Sequence, residues 1–227
     1  PVDPARIAAI CLTHEHGDHI AGLRVLHRRM GWPLFANTGT VEAIERDPEC
    51  RGLGWTIFTN SAPFRIGGLQ IESFSVPHDA YDPVGFIVTS GRERVGIVTD
   101  MGMVTELVRQ RLRHCSVLIL EANHDEKMVT DADRPWSLKQ RILGRQGHLS
   151  NAAAAQLVTE VAGPELQAVF LAHLSADCNK PDLARSAVLA SLKSAGFDKV
   201  QVHLTYPDKI SGVWNSDGAI GTSRPTI

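Results

Sequence analysis

Thr13–His19, with the sequence THEHGDH, is the densest group of potential metal ligands in this chain. Imidazole nitrogens and carboxylate oxygens packed this closely suit zinc, manganese or iron. The apolar run Ile7–Leu12 before the group predicts a buried strand, and the apolar spacing from Ile20 to Met30 predicts a helix after it. We therefore place the group on a strand-to-helix turn. A polar turn with incidental histidines is the competing interpretation, and the density of ligand-type residues disfavours it.

The spacing within this group predicts two metal positions rather than one. His14 and His16 are two residues apart, so on an extended segment both side chains point to the same side. Gly17 allows the chain to turn, and Asp18 and His19 can then face a second position beside the first. Paired metal ions of this kind clamp both the attacking and the leaving oxygen of a displacement reaction.

The overall composition is that of an ordinary globular domain. The chain has 227 residues, 43% of them hydrophobic, and we expect residues 1–227 to form one domain in which 207–227 is a poorly ordered tail. A net charge of −2 gives no global basic field, so only a local patch could indicate nucleic acid. No apolar run reaches the roughly 18 residues of a membrane span, so we expect no membrane span and no membrane partner. The four scattered cysteines indicate free thiols and a cytoplasmic location.

Three further potential ligands stand alone along the chain. His78, Asp100 and His173 each follow an apolar run that predicts a strand. A single histidine at a strand end is more often structural than functional. Several such residues on one predicted edge of a sheet are typical of an active site built from loops.

The most basic part of the sequence is the stretch from Arg134 to Gly147, which contains no acidic residue. We select four of its residues as candidate substrate contacts. They are Trp136, Lys139, Arg141 and Arg145. The cations could bind the phosphates of a polyanion, and the tryptophan could stack on a base. For each residue taken singly, a surface charge or a buried tryptophan is the more common explanation.

Taken together, these residues resemble the signature of the metallo-β-lactamase-fold hydrolases, His-x-His-x-Asp-His followed by a lone His, a lone Asp and a final His. The signature positions in this chain are His14, His16, Asp18, His19, His78, Asp100 and His173. Longer stretches, among them Thr13–Leu23, Val76–Phe86 and Pro135–Ala155, are similar to the bacterial WalJ/YycJ-type proteins, a family of single-domain DNA exonucleases.

The resemblance implies an α+β fold, the metallo-β-lactamase αββα sandwich, in which two facing mixed β-sheets are flanked by helices. It also implies that this chain lacks the N-terminal hairpin region of the family. It implies two divalent metal ions per chain, zinc or manganese, with iron also possible. One ion would bind His14, His16 and His78, the other Asp18, His19 and His173, and Asp100 would bridge them.

The same resemblance implies a phosphodiesterase that degrades DNA from an end, without sequence specificity. A metal-bridging hydroxide would be the nucleophile, and Asp18 would orient or deprotonate it. His148 matches the proton-donating histidine of phosphodiesterases with this fold. Asn123 and His124 are candidates for groups that orient the metal ligands. The oligomeric state stays open.

Two other functions remain possible at this point. A small-molecule thioester or lactone hydrolase of the same fold would share the metal ligands. A non-catalytic metal-binding domain would bind metal without chemistry. A true β-lactamase is disfavoured because such enzymes commonly have a cysteine among the second metal's ligands, and a di-iron oxidoreductase because this chain has His16 where those proteins carry glutamate.

Overall fold

The structure is a computed structural model that describes residues 3–216, and it contains two β-sheets that face each other. The smaller sheet is entirely parallel. Its strands, in spatial order, are β1 (Ile10–Cys11), β2 (Leu34–Ala36) and β3 (Trp55–Ile57). Only the larger sheet is mixed, so the expectation of two mixed sheets is wrong for the smaller one. The connections β1–β2 and β2–β3 run through helices or turns that return the chain to the same end.

The larger sheet has seven strands in the order β10-β9-β8-β7-β6-β5-β4. They are β4 (Phe64–Ile66), β5 (Leu69–Ser75), β6 (Val84–Ser90), β7 (Glu93–Val98), β8 (Val117–Glu121), β9 (Ala168–Ala172) and β10 (Gln201–Leu204). Strands β4 to β7 pair antiparallel, whereas β7 to β10 pair parallel. The carboxyl ends of the four parallel strands therefore meet at one edge of the sheet.

Helices connect the parallel strands and cover the outer faces. They are α1 (Gly17–Ile20), α2 (Leu23–Met30), α3 (Thr38–Ile44), α4 (Glu106–Leu112), α5 (Glu126–Asp131), α6 (Trp136–Leu143), α7 (Asn151–Val161) and α8 (Pro181–Ser194). Local sequence explains several of their starts. The Ser150 hydroxyl accepts a hydrogen bond from the Ala153 N–H at the start of α7 (3.2 Å). Pro181 begins α8, where its missing N–H costs nothing.

Apolar side chains fill three layers between these elements. Helices α4, α7 and α8 pack their buried faces on one side of the large sheet, where Leu118 and Leu171 lie. Phe58 and Phe86 fill the space between the two sheets. Leu34 lies beneath α2 and α3, on the far side of the small sheet. Burial of each such side chain contributes about 1.5–3 kcal/mol to folding. This arrangement confirms the predicted αββα sandwich.

Several local expectations can be compared with the structure. The helix predicted from Ile20 to Met30 is interrupted by a turn between α1 and α2. The four cysteines are free thiols, as predicted. Residues 217–227 of the expected tail lie outside the described residues. Within 3–216, no helix combines the length and the apolar character that crossing a bilayer requires.

Two glycines bring the loop before α7 against the loop after β7. A Cβ atom on Gly102 would lie 2.4 Å from the Gly147 nitrogen. A Cβ atom on Gly147 would lie 2.2 Å from the carbonyl oxygens of Arg141 and Ile142. Backbone atoms on both sides leave no room for a side chain. Glycine at these positions therefore fixes how closely the segment that carries His148 approaches the large sheet.

We expect Gly147→Ala to lower the free energy of unfolding by about 1–3 kcal/mol, because the backbone of the loop must move to admit the methyl group. Urea denaturation measures this change. Gly68→Ala is the matched control, since a Cβ at this turn position meets nothing within 4 Å. Equal unfolding midpoints for the two variants would show that the loop adapts without cost.

Candidate metal centre and its cleft

The parallel strands deliver three polar side chains to one edge of the large sheet. Asp100 lies just beyond β7, Glu121 ends β8, and His173 follows β9. Asp100 and His173 both have left-handed backbone conformations, with φ values of 57° and 55°. Such a conformation costs a non-glycine residue roughly 1 kcal/mol or more and is concentrated at functional sites. Here it turns both side chains from the strand ends toward the loop after β1.

All seven predicted ligands lie in one cluster. The ligand atoms of His14, His16 and His78 lie within 4.8 Å of one another, and so do those of Asp18, His19 and His173. A third group, consisting of His14, His19 and Asp100, shares members with both and joins them. The expected sharp turn at Gly17 is replaced by the start of a helix. Gly17 begins the short helix α1, which carries Asp18 and His19.

Hydrogen bonds orient the imidazoles toward the middle of this cluster. His78 Nδ1 donates to the Gly147 carbonyl (3.0 Å), which leaves Nε2 without a proton and 3.2 Å from His16 Nδ1. The Thr13 hydroxyl lies 3.1 Å from His14 Nδ1. His16 Nε2 donates to the Asp79 carbonyl (3.3 Å), so His14, His16 and His78 can each direct the other ring nitrogen inward. Partners of this kind fix the tautomer of a metal-ligating histidine.

Electrostatics favour the ligand forms of His14 and Asp100, and they attract positive charge to His173. Burial and the neighbouring His19 lower the pKa of His14 to about 3, so its ring is neutral. Burial alone would raise the pKa of Asp100, but the neighbouring His19 and His173 hold it below its usual range. Burial opposes protonation of His173, yet Glu121 and Asp100 raise its pKa to about 9. The acidic groups therefore stabilise positive charge at this position.

Two buried atoms of the cluster are left without hydrogen bonds. These are His14 Nε2 and Asp100 Oδ2. A buried polar atom without a partner costs about 1–3 kcal/mol, so such atoms are rare unless a ligand satisfies them. Histidine nitrogens and carboxylate oxygens in this arrangement fit divalent metal ions. The types of donor atom in the cluster and its two unsatisfied buried atoms therefore both indicate a metal site.

Glu121 is a component of the site that the sequence analysis did not identify. Its fully buried Oε1 accepts hydrogen bonds from His148 Nδ1 (2.8 Å) and His173 Nδ1 (2.9 Å). Its Oε2 accepts from the N–H groups of Met101 and Leu149 (both 3.0 Å). Burial raises the pKa of Glu121, but the bonds from His148 and His173 outweigh this and lower it. The sequence feature that could have identified Glu121 is its position as an acidic residue at the end of an apolar run.

The two residues proposed to orient metal ligands differ in what they do. The Asn123 side chain donates to the His173 carbonyl (2.8 Å) and so stabilises the left-handed turn there. His124 Nδ1 is buried without a hydrogen bond. The structure therefore gives Asn123 a contact with a predicted ligand residue and gives the His124 ring none.

His148 lies in a cleft of about 350 Å³ that contains the exposed side of the cluster. The cleft is also lined by Asp18, Asp100 and His173, and by Arg141 of α6. Burial lowers the pKa of His148, but the hydrogen bond to Glu121 and its charge outweigh this and raise it. With Nδ1 bonded to Glu121, Nε2 is the free nitrogen of the ring.

The candidate substrate contacts are not all beside the cleft. Arg141 lines it, and its Nε donates to Asp79. Arg145 lines a neighbouring cavity of about 460 Å³, which shares Asp79, Arg141 and Gly147 with the cleft. Lys139 instead donates to the Thr130 carbonyl (2.6 Å) and lines neither space. Trp136 is 63% exposed, so the alternative of a buried tryptophan is wrong.

Comparisons with known proteins give a consistent result. A family model described as a beta-lactamase superfamily domain matches residues 1–177. Exodeoxyribonuclease YycJ of Bacillus anthracis is 34% identical over 208 residues, which cover 88% of this chain and 78% of the relative. Exodeoxyribonuclease WalJ of Streptococcus pneumoniae is 34% identical over 212 residues, which cover 90% of this chain and 78% of the relative. The resemblance seen in the sequence is confirmed.

Solved structures confirm the fold. Zinc-bound PqqB from Methylobacterium extorquens is similar with a TM-score of 0.64 and 19% sequence identity. The similarity covers 90% of this chain and 72% of that protein. At this identity, the likeness concerns the arrangement of sheets and helices alone.

We expect Glu121→Gln to weaken metal binding by about 10–100-fold, because an amide cannot accept four hydrogen bonds and so releases His148 or His173. Titration calorimetry with Zn²⁺ measures the affinity. Glu126→Gln is the matched control, since this carboxylate accepts a bond from the Ser150 hydroxyl and contacts no member of the cluster. Unchanged zinc affinity in Glu121→Gln would contradict the role of this carboxylate.

Proposed function

Because the chain belongs to the metallo-β-lactamase-fold proteins of the beta-lactamase superfamily, we propose that it is a dinuclear metal-dependent phosphodiesterase that degrades DNA from an end. The observation that carries this proposal is the convergence of two potential metal sites, His148 and Arg141 on one cleft. The exodeoxyribonuclease names of the relatives at 34% identity support the choice of DNA over other phosphodiesters.

The proposed metal sites divide the cluster between two ions. His14, His16 and His78 would bind one ion. Asp18, His19 and His173 would bind the other, and Asp100 lies close enough to both groups to contact each. Zinc or manganese suits these ligands, and iron is compatible with them. When bound, the ions would lower the pKa of water and neutralise charge on the phosphate.

Residues of the cleft supply the remaining functions. The Asp18 carboxylate is well exposed and borders the cleft, where it can accept a proton from an incoming water molecule. His148 has its Nδ1 proton fixed on Glu121, so its protonated Nε2 can donate to the leaving oxygen of the sugar. An alkoxide leaves slowly unless it is protonated, which explains why an acid is needed at this position.

The cations beside the cleft would bind the phosphates that follow the scissile bond. Arg141 already pairs with Asp79, but an exposed ion pair is worth only about 0–1 kcal/mol, so a phosphate can compete for the guanidinium. Arg145 extends the positive charge along the adjoining cavity. Contacts of this kind do not distinguish bases, which agrees with degradation without sequence specificity.

We expect the metal-stripped protein, reloaded with Mn²⁺ or Zn²⁺, to shorten end-labelled DNA from one end. His148→Ala should reduce the rate by about 10²–10⁴-fold, because it removes the proton donor, and should still bind two metal ions by elemental analysis. Asp18→Ala should abolish activity and should also weaken the binding of one of the two metal ions.

The control for these variants is His27→Gln, which alters a histidine of α2 that bonds the Trp32 carbonyl away from the cluster. It should keep its activity. A protein that binds two ions but leaves DNA intact and hydrolyses a thioester or lactone would replace the nuclease proposal with the small-ester alternative. Two bound ions with no hydrolysis of either class would support the non-catalytic alternative.

We expect the double variant Arg141→Gln and Arg145→Gln to reduce the slope of log affinity against log salt by roughly 0.7–0.9 per lost phosphate contact. Fluorescence anisotropy with labelled DNA measures the slope, in a His148→Ala background that preserves the substrate. Arg65→Gln, an exposed cation on β4, is the control. Lys139→Gln should have the smaller effect, since its ammonium lies outside the cleft. Equal slopes for all variants would refute the basic contact surface.

A further inference from the structure

A second cavity opens directly beside the cluster of predicted metal ligands, and its chemical character differs from that of the cleft. It measures about 520 Å³, within the range of small-molecule sites, and shares His173 with the cleft. Its other walls include Leu174, Pro181, Tyr206 and Pro207, so most of its lining is apolar. The function proposed above makes no use of this space.

The cavity belongs to the same edge of the large sheet as the metal cluster. Asp100, Glu121 and His173 follow or end β7, β8 and β9, and Tyr206 follows β10, the fourth parallel strand. Thr205 fixes this position, since its N–H and its hydroxyl both donate to the Leu171 carbonyl (2.9 and 3.2 Å). Tyr206 thus follows the next strand in the row whose ends carry Asp100, Glu121 and His173.

Hydrogen bonds fix the backbone between the apolar cavity and the cluster. The Ser175 N–H donates to the Asn123 carbonyl (2.8 Å), while the Asn123 side chain donates to the His173 carbonyl (2.8 Å). The buried Asn179 side chain donates to the carbonyls of Ala122 and Asn123 (2.8 and 3.0 Å). The cavity is therefore largely pre-formed, and its position relative to His173 is fixed.

Three spaces of different character follow one another across the site. The apolar cavity and the cleft share His173, whereas the cleft shares Asp79, Arg141 and Gly147 with the cavity lined by Arg145. The apolar cavity and the Arg145 cavity have no wall residue in common. The sequence of spaces is thus apolar, metal-binding and cationic. The end of a DNA strand has the same order: a terminal nucleoside, the first phosphodiester, and then further phosphates.

We propose that the apolar cavity binds the terminal nucleoside of the strand, with its base stacked on the Tyr206 ring, an inference that rests on the nuclease function proposed above. Lys209, which does not line the cavity, places its ammonium over one face of this ring, 3.8 Å from the centroid, so the proposed base would stack on the other face. The charge of Lys209 adds attraction for a polyanion near the subsite. Since stacking tolerates every base, the subsite needs no sequence preference. If water displaces the sugar oxygen of the second nucleotide from the first phosphate, the phosphate stays on the terminal nucleoside, which is released as a mononucleotide, and His148 protonates the oxygen that remains on the shortened strand.

The test compares two DNA substrates that differ only at the end that the wild-type protein shortens. One carries a normal terminal nucleotide, and the other carries a terminal tetrahydrofuran, which lacks the base. The manganese-loaded wild-type protein should cut the normal end about tenfold more efficiently in kcat/KM, the ratio that corresponds to about 1.4 kcal/mol of stacking. Tyr206→Ala should lose this preference, and the two proteins should converge on the substrate without a base.

Three further proteins separate stacking from a general defect. Tyr206→Phe retains the ring and should restore the preference for the normal end. Tyr81→Ala removes the other tyrosine of the chain, which is exposed and does not line the cavity, and should retain the full preference. Tyr206→Leu retains apolar bulk without an aromatic face and should lose it. Metal content and melting temperature are measured for each protein.

The outcomes distinguish this inference from the function on which it rests. A wild-type protein that shortens DNA with the same efficiency at both ends, or a Tyr206→Ala variant that keeps the tenfold preference in a folded, metal-loaded state, would overturn the nucleoside subsite and leave the nuclease intact. Dinucleotides or longer fragments as the first product would also overturn it. A wild-type protein that leaves both DNAs intact would overturn the nuclease proposal and the subsite together.

Discussion

The buried carboxylate of Glu121 is the interaction on which the geometry of the site depends. It lies at the end of β8, between the ends of β7 and β9, and receives four hydrogen bonds. Two come from backbone groups, which fix the loop after β7 and the segment before α7. The other two come from His148 and His173. One anion thus positions a proposed metal ligand and the proposed proton donor, and an unpaired charge at this depth would be strongly unfavourable.

The cluster around this carboxylate combines strained backbone with unsatisfied polar atoms. Asp100 and His173 adopt left-handed conformations, and His14 Nε2 has no hydrogen bond. Each feature costs free energy that the packed sheets on either side must offset. Cations that bind the folded protein and not the unfolded chain would repay part of this cost through their binding energy. The same features that destabilise the fold locally therefore make it a receptor for metal ions.

The fold by itself does not select a reaction, because one fold supports many chemistries. What distinguishes this chain is the combination around the cluster. His148 is presented by a glycine-packed loop, Arg141 lines the same cleft, and Tyr206 lines the adjoining cavity that shares His173. A phosphodiester flanked by a nucleoside on one side and by phosphates on the other complements this distribution of apolar and cationic surface. An acyl ester or lactone would leave the arginine side unused.

The sequence by itself determined the local part of this protein. The spacing of His14, His16, Asp18 and His19 places four potential ligands close together in the chain, and the apolar runs before and after this group predict a strand and a helix. The apolar runs before His78, Asp100 and His173 make them candidate ligands, but a lone histidine after a strand carries little information, and the family resemblance is what assigns them to the metal site. Only the tertiary structure decided that Glu121 bonds to His148 and that Tyr206 lines the apolar cavity. It also decided that Arg141 lines the cleft, whereas Lys139 bonds to a carbonyl outside it. The reason is physical: local spacing encodes neighbours on one element, whereas contacts between strand ends depend on strand order and register, which long-range packing sets.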